Sequence, residues 1–369
     1  MAYPVLLRDF NAGKDWFKST TKTKPDITII RIVDSYTPAG NETESWNADE
    51  GNSGSIKCYL KGTELIIAGN GSGKIAAPVN SSYLFSAKVS SLDNVPTFTN
   101  VTHFYGAELF DMSGVTTLAR AFAYMIRLEY INVSNWDIGN VTSLEYIFGA
   151  PNGVVTGGMS LKELDVRKWN VSKVTTLKNA FLGCKELEVL DVSLWDVSSL
   201  TTAHSAFKNC GKLKVIDVGN WNVPLLTNLF NTFVNCENLR ELDFSKWNAP
   251  NLSDSTAMTD GTPRLEKIKL SKNVPFTVGW YPNNPLSEYI EGADGKWHTV
   301  RGVSYDHASM PCGIDITYYA SPILAQKVRE VPVIISGQTA VGIANAIREK
   351  TGGIGDIAPS EFEDAIRSI

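Results

Sequence analysis

The spacing of apolar positions changes within a short stretch of the chain and then begins again. In LKELDVRKWNVSKVTTLKNAFLGCKE (161–186), Leu164, Asp165 and Val166 alternate with the two-residue period of a strand, Leu164 and Val166 inward and Asp165 outward. From Val174 onward the apolar residues Val174, Leu177, Phe181 and Cys184 fall at three- and four-residue steps. That spacing predicts a short helix or 3₁₀-type turn packed behind the strand. The phrase returns as LEVLDVSLWDVSSLTTAHSAFKNCGK, LKVIDVGNWNVPLLTNLFNTFVNCEN and LRELDFSKWNAPNLSDSTAMTDGTPR. Trp169, Trp195, Trp221 and Trp247 hold these units in register 26 residues apart. Trp136 precedes Trp169 by 33, one unit plus seven extra residues around 151–157.

The opening of each unit fits the leucine-rich-repeat template L-x-x-L-x-L-x-x-N-x-L, with Leu161, Leu164, Val166 and Val171 in the apolar places and Trp169 where asparagine is usual. No such unit can bury its own apolar face, so stacking has to supply one long core with ladders of like residues. The expected fold class is therefore an α/β repeat, a leucine-rich-repeat solenoid of about 26-residue units. Trp136, Trp169, Trp195, Trp221 and Trp247 read as a structural ladder at the strand-to-turn corner, and Cys184, Cys210 and Cys236 as a column of small buried residues. No paired CxxC spacing suggests a disulfide or metal site. In the last unit Thr259 and Thr262 stand where phenylalanine and cysteine are due, and Lys267 and Lys269 flank Ile268, which reads as a polar terminal cap.

The consensus LxxLDVSxWDVSxVTxLxxAFxxCxxL resembles the BspA-like leucine-rich repeats of bacterial surface proteins, which also occur in mycoplasmas and in bacteriophages of Gram-positive hosts. It covers residues 81–271, about half the chain. The resemblance implies surface adhesion and recognition and no shared enzyme activity. Near the end, IANAIREKTGGIGDIAPSEFEDAIRSI is similar to a C-terminal element of tail and baseplate proteins in phages of Firmicutes. Together the two resemblances imply a virion component of a phage tail, receptor-binding or fibre-like. Its expected partners are other tail proteins and a host cell-surface glycan or protein. The alternatives are a bacterial surface adhesin of the same repeat family and a glycan-degrading enzyme that uses the array as a binding module.

The flanks have other patterns. Residues 1–80 form a β-rich cap or attachment region, with ITIIRIV (27–33), SIKCYL (55–60) and ELIIAG (64–69) as strand-like runs between Gly, Asn and Ser clusters. Residues 272–325, richer in Pro, Gly and aromatic residues, suggest a small β module. In 326–369 the strand-like VPVII precedes two short helices, one capped by Thr339 and one opening at Pro359. A helical hairpin this small cannot hold a core alone, so its apolar stripes predict attachment or homo-oligomerisation.

Charge narrows the function classes. A net charge of −5 with 20% charged residues leaves no basic footprint for nucleic acid, and no apolar run is long enough to insert in a membrane. The start, MAYPVLLRDFNAGKDW, lacks a charged-then-apolar signal region, and a surface-type array without one suggests release by lysis, in keeping with a virion. GNGSGKI departs from the Walker pattern at Ala68 and Ile75 and reads as a turn.

The outward strand positions are the candidate ligand contacts: Asp165, Asp191, Asp217 and Asp243, with Glu163, Arg167 and Glu241 beside them. Stacked carboxylates repel, so each needs water, a hydrogen-bond donor or a cation. Each could bond to its own neighbouring backbone, or the stripe could meet sugar hydroxyls. Trp280, Tyr281, Trp297 and Tyr305 lie outside the repeats and are candidate ligand-contacting aromatics. His298, Asp306, His307 and Cys312 are close in sequence, but their spacing matches no familiar metal site. No catalytic grouping stands out, and neither cofactor nor metal is expected.

Overall fold

The computed structural model describes residues 3–9, 14–86, 97–150, 158–277, 279, 282 and 285–329. Its centre is the repeat region, where each unit lies on the next. The isolated parallel bridges Asn80↔Thr117↔Ser143↔Thr176↔Thr202↔Asn228↔Asp254 run through it without a break. Beside them a threonine column ties unit to unit: the hydroxyls of Thr142, Thr175, Thr201 and Thr227 donate to the carbonyls of Thr116, Thr142, Thr175 and Thr201 at 2.8–3.2 Å.

The expected fold class does not form. The α/β repeat solenoid called for a helix or 3₁₀ turn in each unit, whereas among the described residues the single α-helix is Pro322–Arg329, beyond the repeats. The half-unit read as helical is a run of tight turns. The N–H groups of Leu177, Asn179, Phe181 and Gly183 donate to Thr202, His204, Ala206 and Lys208 of the next unit. Those of Ala180, Leu182 and Cys184, in between, donate to carbonyls three residues back. An α-helix would direct all of these donors along its own axis. Asn179 and Gly183 moreover take positive φ, 55° and 77°, as do Ser205 and Asn209, and Asn231 and Asn235. A left-handed residue every fourth position breaks helical propagation, and asparagine and glycine tolerate it best. The expected C-terminal helical hairpin and VPVII lie outside the described residues.

Strands organise both ends. One six-stranded sheet has the order Tyr130–Ile131, His103–Tyr105, Ile29–Val33, Glu64–Ala68, Lys57–Lys61, Glu44–Asn47. Its first four strands are mutually parallel and its last two pairings antiparallel. The N-terminal strands thus continue directly into the first repeats, and Ile30, Phe104 and Ile131 share one buried row.

At the other end a five-stranded sheet has the order Glu241–Asp243, Lys267–Leu270, Ile316–Tyr319, Trp297–His298, Ser304–Tyr305. Lys267–Leu270 was expected to be a polar terminal cap. It is an inner strand, with Ile268 and Leu270 buried and Ile316–Tyr319 paired antiparallel along it. The reversal of direction ends the parallel stack. Its lysines are outward and paired with the previous unit: Lys267 Nζ lies 3.0 Å from Glu241 and Lys269 Nζ 2.5 Å from Asp243.

The main core is one continuous cluster from Leu6 to Ala320, with a small separate cluster of Tyr59, Ile66 and Ala68 on the other face of the N-terminal sheet. Tryptophan rings stack along it, Trp136–Trp169–Trp195–Trp221–Trp247, at centroid separations of 5.9–6.4 Å and nearly parallel. A second ladder joins Phe85, Phe122, Phe148, Phe181, Phe207 and Phe233 at 5.3–6.3 Å. Each indole N–H donates to a carbonyl one unit earlier, as from Trp195 to Val166 at 2.9 Å and from Trp221 to Val192 at 3.1 Å. The polar edge of a buried ring is thereby satisfied.

Candidate functional site

The outward strand column begins with a local device. In Asp165, Asp191, Asp217 and Asp243, Oδ1 accepts the backbone N–H two residues on, from Arg167, Ser193, Gly219 and Ser245, at 2.9–3.2 Å. This is an Asx-type turn, and it swings the chain from the strand toward the tryptophan corner. One oxygen of each carboxylate therefore belongs to the repeat itself. The other is available to neighbours: Asp191 Oδ2 meets Arg167 Nε at 3.2 Å, and Asp243 Oδ2 meets Lys269. Asp165 and Asp217 have no ion pair among the described residues.

These contacts set the ionisation of the column. The Ser193 hydroxyl, and then its amide, hold the Asp191 carboxyl below the usual range. For Asp243 burial works against ionisation, but the Lys269 ammonium and Ser245 outweigh it and its pKa is also lowered. Both are carboxylates at neutral pH.

Beside the aspartates, charge is matched from unit to unit. Lys162 pairs with Glu129, Lys212 with Glu186 and Lys214 with Glu188 at 2.6–2.7 Å, and Arg240 pairs with Glu266. Glu241 is shared by Lys267 and Lys269. Between these pairs runs an open groove of about 670 Å³, lined by Glu163, Asp165, Arg167, Glu186, Val189 and Asp191 among others. Val189 and Val215, bridged to each other, are 58% and 59% exposed and give the face an apolar strip. The groove gathers Glu163, Asp165, Arg167 and Asp191; Asp217, Glu241 and Asp243 lie in later units outside its lining.

The remaining expected site residues divide sharply. Trp280 and Tyr281 lie outside the described residues. Trp297 was expected to contact ligand, but it is 1% exposed: it is paired with Tyr305 in the sheet and packed in the core, and its neighbour His298 is buried as well. Tyr305 is half-buried and packs edge-on against Tyr318 at 5.7 Å. The five ladder tryptophans are buried. So are Cys184, Cys210 and Cys236, whose thiols lie 3.7, 3.2 and 3.1 Å from the carbonyls of Phe148, Phe181 and Phe207. Burial pushes the Cys210 thiol up to about 12 and also raises Cys184 and Cys236, so none of the three is a thiolate nucleophile.

His298, Asp306, His307 and Cys312 do not gather. His298 is buried and its Nε2 lies 2.9 Å from Asp294, while Cys312 Sγ faces the Phe276 carbonyl. Ser304 is directly opposite His298 in the sheet, and among the described residues no hydrogen bond joins them. Among the described residues no group of three or more His, Cys, Asp or Glu side chains is placed to hold a metal ion. No described helix is long and apolar enough to cross a membrane.

Sequence reasoning missed the other end of the same outward face. There His103 and Tyr105 stack at 5.5 Å, Tyr130 lies 6.1 Å from Tyr105, and the Arg31 guanidinium sits 4.8 Å from the Tyr105 ring centroid. The alternation in HFY, with Phe104 buried, was the readable signal for His103 and Tyr105 outward. The approach of Arg31 was not readable, because it depends on the register of Ile29–Val33 with a strand far along the chain.

No curated protein and no solved structure matches the chain. Over residues 90–154 and 152–272, which hold most of the stacked units, it is similar to the family described as Mycoplasma protein of unknown function, DUF285.

Proposed function

We propose that this chain is a non-enzymatic recognition protein, carried on a bacteriophage tail as a fibre, baseplate or receptor-binding component, that contacts the host cell surface. The observation that carries the recognition reading is the contrast between a repeated interior and a varied exterior. Tryptophan, phenylalanine and threonine recur in their interior and corner columns, while successive outward positions are Tyr130, Glu163, Val189, Val215, Glu241 and Lys267. A rigid scaffold that changes only its exposed side chains suits binding of a surface ligand. The tail assignment is supported by the similarity of 343–369 to a C-terminal element of tail and baseplate proteins. Attachment would be multivalent: weak single contacts add when several copies are held on one particle.

A second reading, a bacterial surface adhesin, is favoured by the family match, since DUF285 is described from Mycoplasma and is associated with BspA-like repeat proteins. Immunogold labelling with antibody against residues 81–271 separates the two. Label at the tail tip or fibres of purified particles is expected. Label on cells alone, with particles bare, would sink the tail reading and leave the adhesin.

A further inference from the structure

We propose that the aromatic end of the exposed strand face binds a neutral saccharide, with the Tyr130 ring as its platform and Tyr105 as the adjoining wall. The inference rests on the reading that this face is the recognition surface, and it adds a place and a ligand class. The site is built on three adjacent parallel strands, Ile29–Val33, His103–Tyr105 and Tyr130–Ile131, whose middle residues Ile30, Phe104 and Ile131 are locked in the core. Register puts Arg31 beside Tyr105 in one outward row and His103 beside Tyr130 in the next. The positions of the rings are therefore set by a sheet, not by a loop.

Within that frame the four side chains divide the work. Tyr105 is held upright, with His103 stacked at 5.5 Å and the Arg31 guanidinium 4.8 Å from its ring centroid. Its hydroxyl has no hydrogen-bond partner among the described residues, and its ring stands 6.1 Å from that of Tyr130. Tyr130 is 42% exposed and tilted 43° to Tyr105, so one ring is left open to solvent next to that wall. His103 Nδ1 is 3.0 Å from the Thr102 hydroxyl, which fixes the imidazole and leaves Nε2 for a ligand.

Charge selects the ligand class. Arg31 is paired with Glu64 at 2.7 Å and Lys162 with Glu129 at 2.6 Å, so the rim carries balanced pairs and no net field for a polyanion or polycation. What remains is an aromatic face with hydroxyl, imidazole and carboxylate groups around it. A pyranose matches this: its axial C–H face is attracted to the electron-rich ring face, and its equatorial hydroxyls meet the rim. An apolar peptide anchor would call for a pocket that buries it, and this site is an open platform.

The test is calorimetric titration of the full chain with neutral hexasaccharides of glucose (α- and β-linked), galactose and N-acetylglucosamine, alongside an anionic polysaccharide and a proline-rich decapeptide. At least one neutral sugar should bind, and Tyr130→Ala should weaken it about tenfold, the size expected for losing one aromatic contact. Tyr130→Phe should keep the affinity, Tyr105→Phe should lower it severalfold by removing one hydroxyl, and Glu291→Gln, at an exposed position beyond the repeats, should leave it unchanged. Matching melting curves for all variants guard against misfolding. The proposal is overturned if no neutral sugar binds at roughly 10 mM, where even weak sites register. It is equally overturned if Tyr130→Ala binds as the parent does, or if only the peptide or the anionic polymer binds. Attachment to host cells without sugar binding would remove this inference and leave the function above standing. Sugar binding by a chain that labels neither particles nor cells would do the reverse.

Discussion

Two sides of the same pair of units are joined in different ways. On the turn side, Leu177, Asn179, Phe181 and Gly183 reach the next unit with four backbone hydrogen bonds of 2.8–3.0 Å. On the strand side, among the described residues, no backbone hydrogen bond links 161–166 to 187–192; the Arg167–Asp191 ion pair spans the gap instead. The next two units are only a little closer, with the Val189↔Val215 bridge and one bond from Lys214 to Glu188. Cohesion of the stack is thus concentrated on the turn side and the aromatic ladders. Between 161–166 and 187–192 the strand side is held by side chains and not by a backbone ladder, and that leaves the outward positions the freedom a recognition face needs.

The strongest way to break that contrast is to remove a ladder ring. Trp195→Ala deletes a fully packed indole between Trp169 and Trp221 and removes one of the two donors to the Val166 carbonyl, which keeps the Trp169 amide at 3.1 Å. A loss of about 3–5 kcal/mol is expected from the cavity, read as a drop in denaturation midpoint. Trp195→Phe keeps much of the stacking and loses one hydrogen bond to a carbonyl that retains another, so it should cost less, about 0.5–1.5 kcal/mol. If Trp195→Ala costs no more than a strand-face substitution, the stack is not held where its geometry places its cohesion.

Next in size is a test of the turns. Gly183 has φ of 77°, and an added Cβ would lie 3.1 Å from the Ala150 carbonyl oxygen. Gly183→Ala should therefore destabilise by about 1–2 kcal/mol, the cost of a left-handed residue with a Cβ. Gly211→Ala, where φ is not positive and nothing lies within 4 Å of the new atom, should be close to neutral. Equal effects in thermal melts of the two variants would mean that left-handed geometry does not hold the turn side together.

Those left-handed positions also explain how far the sequence could be read. The ladders were legible because tryptophan, phenylalanine and cysteine repeat at one interval. The spacing left a short helix and a 3₁₀-type turn both open, because three- and four-residue apolar steps arise from either structure. The distinguishing signal was present as Asn179, Gly183, Ser205, Asn209, Asn231 and Asn235, small or polar residues where φ is positive. It was absent in the first units, where Tyr83, Arg120, Tyr124 and Tyr146 take the same conformation against their residue preference. Non-local pairing hid the rest. The antiparallel partner of Lys267–Leu270 comes from Ile316–Tyr319, and the buried aspect of Trp297 follows from its pairing with Tyr305, neither of which local pattern specifies. Of the candidate site, the Asp column was visible as a column, but its role in closing each turn needed the Oδ1 contacts.

Acid should separate the two sides more gently. Asp191 and Asp243 have folded pKa values below the ordinary carboxylate range, so the stability they contribute is present above the unfolded pKa of ~3.9 and is lost as pH falls through the lower folded values. Both are partly exposed, so solvent screening keeps each effect below about 1 kcal/mol. Denaturation of the parent at pH 5 and at pH 3 should differ by more than it does for Asp191→Asn with Asp243→Asn. An unchanged difference would show that backbone bonding, not these carboxylates, governs the acid response.

The smallest effect gives the finest discrimination. Lys214 Nζ lies 2.7 Å from Glu188, and both side chains are more than half exposed. An exposed pair of this kind contributes about 0.2–1 kcal/mol at low salt and less when screened. A double-mutant cycle of Glu188→Ala and Lys214→Ala should therefore give a coupling near the low end of that range, vanishing as salt is raised. The Lys214 backbone N–H, which bonds to the Glu188 carbonyl at 2.9 Å, survives both substitutions and should hold the two units together. A coupling comparable to the loss on Trp195→Ala, or one insensitive to salt, would mean that the charged strand face carries structural load. Its side chains would then not be free to vary, and the argument for recognition from variation on this face would fail with them.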